Sequence, residues 1–222
     1  MNHAEPLTVR PAGPCRVSLQ DCFAHTDLAW RLDHVPDRAA CRGVFFNMLD
    51  ERAAELGPEV QRQYREFFKL YRFLPFKLYP VKDYLTRIVA VAQCHFGAEG
   101  IYRGLFELQA AAFPAWRRTL LGRTTFAVLG NDFDALLRGI ERAYATGTPT
   151  NHTTFQVTRA APNRYAVRFG SEYLYIEHAM TGALAGVARG CGYEPAFEVQ
   201  LDDPFNGTVH LHLQERKAEG SP

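Results

Sequence analysis

Two histidines placed two positions apart have the spacing in this sequence that best suits metal chemistry. His210 and His212 occur in an alternating segment, so both imidazoles would leave the same face of a strand. Two nitrogens make only half of a metal site, and His152 or His178 would complete it only if the fold brought one of them close. We interpret the pair as solvent-facing histidines on an edge strand or an outer sheet face and keep them only as candidate metal ligands.

Nucleophilic chemistry finds little support in the residue spacing. Cys94 and His95 are adjacent, and neighbours on a helix point about 100° apart, so they cannot easily form a thiolate–imidazolium pair. The sequence has no serine-hydrolase elbow, zinc-protease motif, dinucleotide fingerprint or kinase set. We therefore predict no catalytic residue and keep an enzyme of unrecognised class as a third alternative.

The candidate ligand-binding residues are aromatic or lie beside an aromatic run. Phe113 and Trp116 belong to a dense aromatic set in the first two-thirds of the chain, and some of that set would line any cavity between layers. Tyr175 and His178 lie near the start of a C-terminal helix, where a histidine could orient a ligand. The alternatives are core packing for the aromatic rings and a hydrogen-bonded neutral histidine. Such a cavity would favour an apolar or planar ligand.

Two periodicities indicate which elements would position these side chains. Apolar residues recur every three or four positions up to residue 147, and alternate from residue 153 onwards. The pattern predicts an α+β fold in which an N-terminal helical layer is followed by a β-β-α-β-β half with a four-stranded antiparallel sheet, covered on one face. The predicted elements are helices over 40–56, 59–73, 82–96, 100–112, 114–130 and 131–147, a hairpin over 153–169, a helix over 177–189, and a hairpin over 197–214.

One helix of the second half is notable for small residues. Gly182, Gly186 and Gly190 recur every four positions and leave one helix face almost without side chains. We expect this face to pack closely on the sheet, because small residues let backbones approach each other.

Composition bounds the domain organisation and the partners. The chain of 222 residues carries a formal charge of +1, which disfavours nucleic-acid binding through an extended basic surface. It shows no leader-like apolar segment and no run long enough to span a membrane, and its five scattered cysteines suggest reduced thiols. We therefore expect a cytoplasmic protein with a flexible arm (1–26), a single ligand-binding-like domain (27–214) and a disordered tail (215–222).

Several segments together resemble a known family. They are Asp27 through Val35-Pro36 to Arg42-Gly43-Val44-Phe45-Phe46, Tyr79-Pro80 through Tyr84-Leu85, Leu121-Gly122-Arg123, and the Gly182/Gly186/Gly190 helix. The chain resembles an uncharacterised, highly paralogous family of about 200 residues known mainly from myxobacteria. That family is similar to a fold group that includes haem-based nitric-oxide sensors, 4-vinyl-reductase-type domains and TRAPP-type trafficking subunits.

This resemblance implies a ligand-binding or scaffolding fold with a cavity between helices and sheet. Haem sensors of this kind carry a Tyr-x-Ser-x-Arg signature, and the nearest string here, Tyr173 to Glu177, lacks the Ser and the Arg. Relatives with zinc use several cysteines, whereas only Cys191 lies in the matching region. We therefore expect no cofactor, neither haem nor metal. The predicted function is a non-catalytic sensor or regulatory domain that binds a small apolar ligand or a protein partner; a scaffolding homodimer is the alternative.

Overall fold

A computed structural model describes residues 26–69, 72–118, 123, 127, 130–147 and 153–215. The predicted arm and tail lie almost entirely outside these residues, as do Cys15, Cys22, His152 and most of the predicted helix 114–130 beyond Arg118. Across the described part of the chain, each helix is too short or too polar to cross a membrane.

The predicted α+β architecture is confirmed, with helices first and the four-stranded antiparallel sheet in the second half. The helices are α1 (Thr26–His34), α2 (Gly43–Glu55), α3 (Pro58–Phe67), α4 (Val81–Phe96), α5 (Ile101–Arg118), α6 (Phe133–Gly147) and α7 (Thr181–Gly190). The strands are β1 (Ala40–Arg42), β2 (Leu78–Pro80), β3 (Thr154–Ala161), β4 (Arg164–Gly170), β5 (Tyr193–Asp203) and β6 (Asn206–Glu215).

The large sheet has the strand order β3-β4-β6-β5, and all its pairs are antiparallel. Period-two alternation in β4 buries Tyr165, Val167 and Phe169 on one face, as expected for a sheet with one dry side. In β6, Val209, Leu211 and Leu213 join them. Helices α6 and α7 contribute apolar side chains to this face, and together these residues form the second of two hydrophobic cores.

The first core is formed mainly by helices and is centred on α4. This helix is buried almost all round, with Leu85, Ile88 and Val89 fully inaccessible to solvent, as expected for a helix whose apolar residues are not confined to one stripe. It ends at Gly97, whose φ of 75° is a conformation that glycine adopts without strain. Side chains from α1, α2, α3 and α5 pack around it.

Three predicted element boundaries are wrong. The helix expected from Ala40 begins only at Gly43, because residues 40–42 form β1 and pair with β2; a strand of three residues is too short to show its own period. The helix expected up to Phe73 ends at Phe67, where Phe68 turns to extended backbone.

The third correction concerns Pro114, which was expected to begin a new helix. Instead α5 runs without a break from Ile101 to Arg118 with Pro114 inside it. Proline has no backbone N–H, so the carbonyl of Ala110 lacks its usual intrahelical donor.

The glycine face of α7 packs on α5 rather than on the sheet, contrary to the expectation. A Cβ added at Gly182 would collide with the carbonyl of Phe106, and one at Gly186 with the carbonyl of Ala110. Backbones this close permit Cα–H···O contacts, and the second of these carbonyls is the one that Pro114 leaves without a helical donor. The small residues therefore fix the distance between α5 and α7, and so the width of the space beside them.

Candidate functional site

An apolar cleft separates the two cores. It consists of two adjoining chambers with volumes of about 170 and 180 Å³. Both chambers lie against α2, α4, α5, α6 and α7, so the helical layer and the second core each supply a wall. The residues shared by both chambers are Phe45, Tyr84, Gln109, Ile140, Ala183 and Val187.

The shared wall contains one buried polar pair. Gln109 Nε2 on α5 donates to Tyr84 Oη on α4 over 3.1 Å. Burial raises the pKa of Tyr84 above its ordinary value, so the phenol stays neutral. This pair ties α4 to α5 at the point where the two chambers meet.

The first chamber contains a buried carboxyl group. Glu172 follows β4 and is 3% exposed; its Oε2 accepts a hydrogen bond from Tyr144 Oη over 2.5 Å and its Oε1 accepts one from the Leu174 N–H over 2.7 Å. Burial raises the pKa of Glu172 from 4.5 to about 7, against the opposing effect of these hydrogen bonds. Cys41 of β1 lines the same chamber, and burial raises the pKa of its thiol to about 12.

The second chamber contains two of the residues predicted from the sequence. Phe113 and Trp116 of α5 line it, with ring centroids 5.9 Å apart. Arg52 of α2 also lines it and donates from Nη1 to Glu55 over 3.1 Å. Within the described residues, Arg52 Nε is buried without a hydrogen-bond partner.

The other two predicted ligand-binding residues lie elsewhere. Tyr175 and His178 belong to the connection between β4 and α7, where residues Ile176–Met180 form a single π-helical turn. Tyr175 has a φ of 36°, and its carbonyl accepts from the Met180 N–H across this turn over 3.2 Å. Neither side chain lines the cleft, so the fold does not bring this pair together with Phe113 and Trp116. Ligand binding by all four stays a prediction.

Tyr175 and His178 instead lie beside a buried ion pair between Arg31 and Glu177. We call this group of side chains the Arg31 cluster (Asp27, Arg31, Tyr102, Tyr175, Glu177 and His178). Arg31 Nη2 lies 2.5 Å from Glu177 Oε1, and its Nε lies 3.2 Å from Asp27 Oδ1. The guanidinium stands 5.7 Å from the ring centroid of Tyr175, and the His178 ring stacks on Tyr102 at 4.5 Å. Burial lowers the pKa of His178. The cluster joins α1 to the connection before α7.

The histidine pair on β6 has the orientation that its spacing predicts. His210 and His212 are exposed on the outer face of the sheet, opposite Ala166 and Arg164 of β4. Across the described ranges, no group of three or more His, Cys, Asp or Glu side chains is placed to hold a metal ion. His152, the other nitrogen considered for such a site, lies outside these ranges.

Sequence reasoning missed Glu172 in the cleft and the ion pair at the centre of the Arg31 cluster. Glu172 follows Gly170 and Ser171 and resembles an exposed loop acid in the sequence. Arg31 lies in a short, polar first helix. Tyr144 offered a signal, because it occupies a position of α6 spaced for burial while carrying a hydroxyl that requires a partner.

Solved structures of H-NOX proteins share this fold. One from K. algicida, Fe(II) unliganded, superposes with a TM-score of 0.59 at 14% identity, covering 81% of this chain and 100% of that one. One from S. oneidensis in the Fe(II)NO ligation state gives 0.58 at 18% identity, covering 78% and 99%. A third, from work on haem distortion in the H-NOX family, gives 0.53 at 12% identity, covering 79% and 89%. At these identities the likeness shows the fold.

The expectation of no cofactor, neither haem nor metal, is contradicted by these comparisons, because the proteins that share the fold carry iron. The described lining of the cleft does not itself supply the usual haem ligands. It holds no histidine, and its side chains of other haem-ligand types are the Cys41 thiol, the Met180 thioether and the phenols of Tyr84, Tyr144 and Tyr173. A histidine-ligated haem in this fold would therefore require a ligand from outside the described lining.

Family membership rests on a comparison of the sequence itself. No curated protein matches the chain. Residues 35–211 match the model of a family described as protein of unknown function (DUF2378), a span that contains most of both cores, the cleft and four of the six residues of the Arg31 cluster. The chain belongs to the DUF2378 family, and within it this sequence adopts an H-NOX-like fold.

Proposed function

We propose that this protein is a non-catalytic sensor or regulatory domain that binds a small, largely apolar ligand in the cleft between its two cores. The observation that carries the proposal is the cleft itself. Its walls are predominantly apolar and aromatic, with a few polar groups at defined positions, which is the usual composition of a small-molecule site. The H-NOX-like fold supports a sensing role by analogy, since fold alone does not determine function.

The construction of the cleft also favours a role in signalling. A ligand there would contact α4 and α5 of the helical layer together with α6 and α7 beside the sheet. A conformation that changes the position of one layer relative to the other would change these contacts, and a ligand shifts a conformational equilibrium when it binds one conformation more tightly than the other. The Arg31 cluster is a second link between the layers. A ligand in the cleft would therefore add its contacts to layers that an ion pair already holds together.

The first experiment is native mass spectrometry with an absorption spectrum, on protein purified without chelator. Extra mass that is lost on denaturation would support the proposal and identify the retained ligand, and a Soret band would identify it as haem. The same spectra give the oligomeric state and so test the predicted homodimer. A bare protein is then titrated with Nile red, a neutral apolar dye whose fluorescence rises in dry sites.

A variant that fills the cleft tests where the ligand binds. Ala183 lies in both chambers, so Ala183→Phe should reduce dye or ligand binding by about tenfold or more, because the new ring occupies the shared wall. Ala54→Phe is the matched control, since Ala54 is exposed on α2. Equal binding by the wild-type protein and Ala183→Phe would contradict a ligand site in the cleft.

A further inference from the structure

Glu172 is held rigidly at the wall of the first chamber. Its backbone N–H donates to the Phe205 carbonyl over 2.9 Å, and its carboxylate accepts from the Tyr144 hydroxyl and the Leu174 N–H at 2.5 and 2.7 Å. The Tyr173 N–H is a third donor to this carboxylate, which has about four acceptor positions. The side chain is therefore oriented by its surroundings and keeps some acceptor capacity at the wall of the chamber.

The groups around this carboxyl are acids or are uncharged. The titratable side chains that line the first chamber are Cys41 from β1, Tyr84 from α4, Tyr144 from α6, and Tyr173 from the connection that carries Glu172. The contributions of β3, α5 and α7 to the chamber are apolar or amide side chains. Throughout this described lining there is no lysine, arginine or histidine. A buried carboxylate is normally paired with a cation, and the described lining of the chamber provides none.

We propose that the cleft takes an apolar monoamine, whose ammonium group pairs with Glu172 while its hydrocarbon part lies along the shared wall into the second chamber. This inference rests on the proposed function and specifies its ligand class. A carboxylic acid would bring a second acid to Glu172, and an alcohol would leave the carboxylate uncompensated. Arg52 lines the second chamber, so a second ammonium group at that end would be repelled, which favours a monoamine over a diamine.

The ionisation of Glu172 is consistent with this ligand. Its pKa of about 7 means that the carboxylate form is accessible near neutral pH, and an ammonium partner would favour that form. An alkyl amine remains protonated at this pH, as a lysine does. The energy of forming the charged pair is therefore available to binding in this range and should be lost in acid.

The test is displacement of Nile red by octylamine, 1-octanol and octanoic acid at pH 7.5. Octylamine is expected to compete at concentrations about tenfold or more below those of 1-octanol, since a charge-assisted hydrogen bond contributes about 1.5–3 kcal/mol. Glu172→Gln should bring octylamine to the level of 1-octanol, and binding of Nile red by the variant shows that its cleft persists. Glu198→Gln, at an exposed position on β5, is the matched control.

The outcomes separate this inference from the function on which it rests. If the dye binds but amine and alcohol compete equally, or if Glu172→Gln retains the amine preference, the amine inference is overturned and the proposed function stands. If neither dye nor any retained ligand occupies the cleft, the proposed function itself fails. A further supporting result is an amine preference that declines as the pH falls from 7.5 to 5.5, in the wild-type protein and not in Glu172→Gln.

Discussion

Two buried acids in the same connection between β4 and α7 are compensated in different ways. Glu177 has a cation, because Arg31 reaches it from α1 at 2.5 Å. Glu172 has a phenol and backbone N–H groups, and its pKa is raised to about 7 by burial. The first arrangement fastens two elements together through an ion pair; the second leaves the acid divided between its neutral and its charged form near pH 7.

This difference in charge compensation indicates which of the two acids is available to a ligand. In the Arg31 cluster the charge of the acid is already compensated by the guanidinium, although Arg31 Nη1 and Glu177 Oε2 are buried without hydrogen-bond partners among the described residues. A buried acid without a cation is stabilised when a cation binds beside it, because the attraction between the two charges offsets the cost of ionising the acid in a dry site. We therefore regard the Arg31 cluster as a structural tie and Glu172 as the polar anchor of the cleft.

The largest expected effect comes from breaking the ion pair. Arg31→Leu should lower the free energy of unfolding by about 3–5 kcal/mol, because Glu177 is left partly buried without its cation. Urea unfolding followed by circular dichroism at pH 7 measures this loss. The double variant Arg31→Leu/Glu177→Gln should recover part of it by removing both charges. Equal losses in the single and double variants would show that Arg31 acts through packing rather than charge.

The second largest effect tests the uncompensated acid. Burial raises the pKa of Glu172 from 4.5 to about 7, so the native state binds more protons than the unfolded chain between these values. Its contribution to stability is therefore present below pH 4.5 and is lost as the pH rises through 7. We expect the wild-type protein to lose about 3 kcal/mol relative to Glu172→Gln between pH 4.5 and 8.

Urea unfolding of both proteins at half-unit intervals of pH measures that difference. Glu198→Gln serves as the control, because Glu198 is exposed and its replacement should leave the wild-type pH profile intact. A difference between the wild-type protein and Glu172→Gln that is constant across the range would mean that Glu172 ionises as it does in water. The contrast between the two acids would then disappear.

A smaller loss of stability is expected from Tyr144, whose phenol contacts the Glu172 carboxyl where a cation would otherwise lie. Tyr144→Phe removes the hydroxyl that donates to Glu172. At pH 8, where the acceptor is ionised, we expect a loss of about 2 kcal/mol in the free energy of unfolding, and at pH 5 about 1 kcal/mol, because hydrogen bonds to charged groups are the stronger ones. Tyr173→Phe, a half-buried phenol in the same chamber, is the control. Equal losses at both values of pH would contradict a role specific to the ionised acid.

The elements of this molecule were more predictable than the site that they form. Phe113 and Trp116 were expected to line a cavity because they belong to a dense aromatic set, and they line the second chamber. The glycine spacing predicted the small-residue face of α7 but not its neighbour, because close approach suits a helix and a sheet equally. The π-helical turn could not be foreseen, since it depends on a left-handed Tyr175 in a stretch without periodicity. That turn separates His178 from the cleft and leaves Glu172 facing it.

The smallest expected effect comes from His178 of the Arg31 cluster. Its pH dependence is opposite to the one expected for Glu172. Burial lowers its pKa, with Arg31 acting in the same direction and Glu177 opposing. The unfolded chain therefore binds more protons near pH 6.5, and stability present above that value is lost as the pH falls through the lowered pKa. His178→Gln should abolish this loss, whereas His210→Gln on the exposed face of β6 should not. Because His178 remains partly exposed, we expect a smaller change than in the other variants. If unfolding at pH 5, 6, 7 and 8 shows no such slope, the imidazole is solvated, and the polarity of the connection is set by its two acids alone.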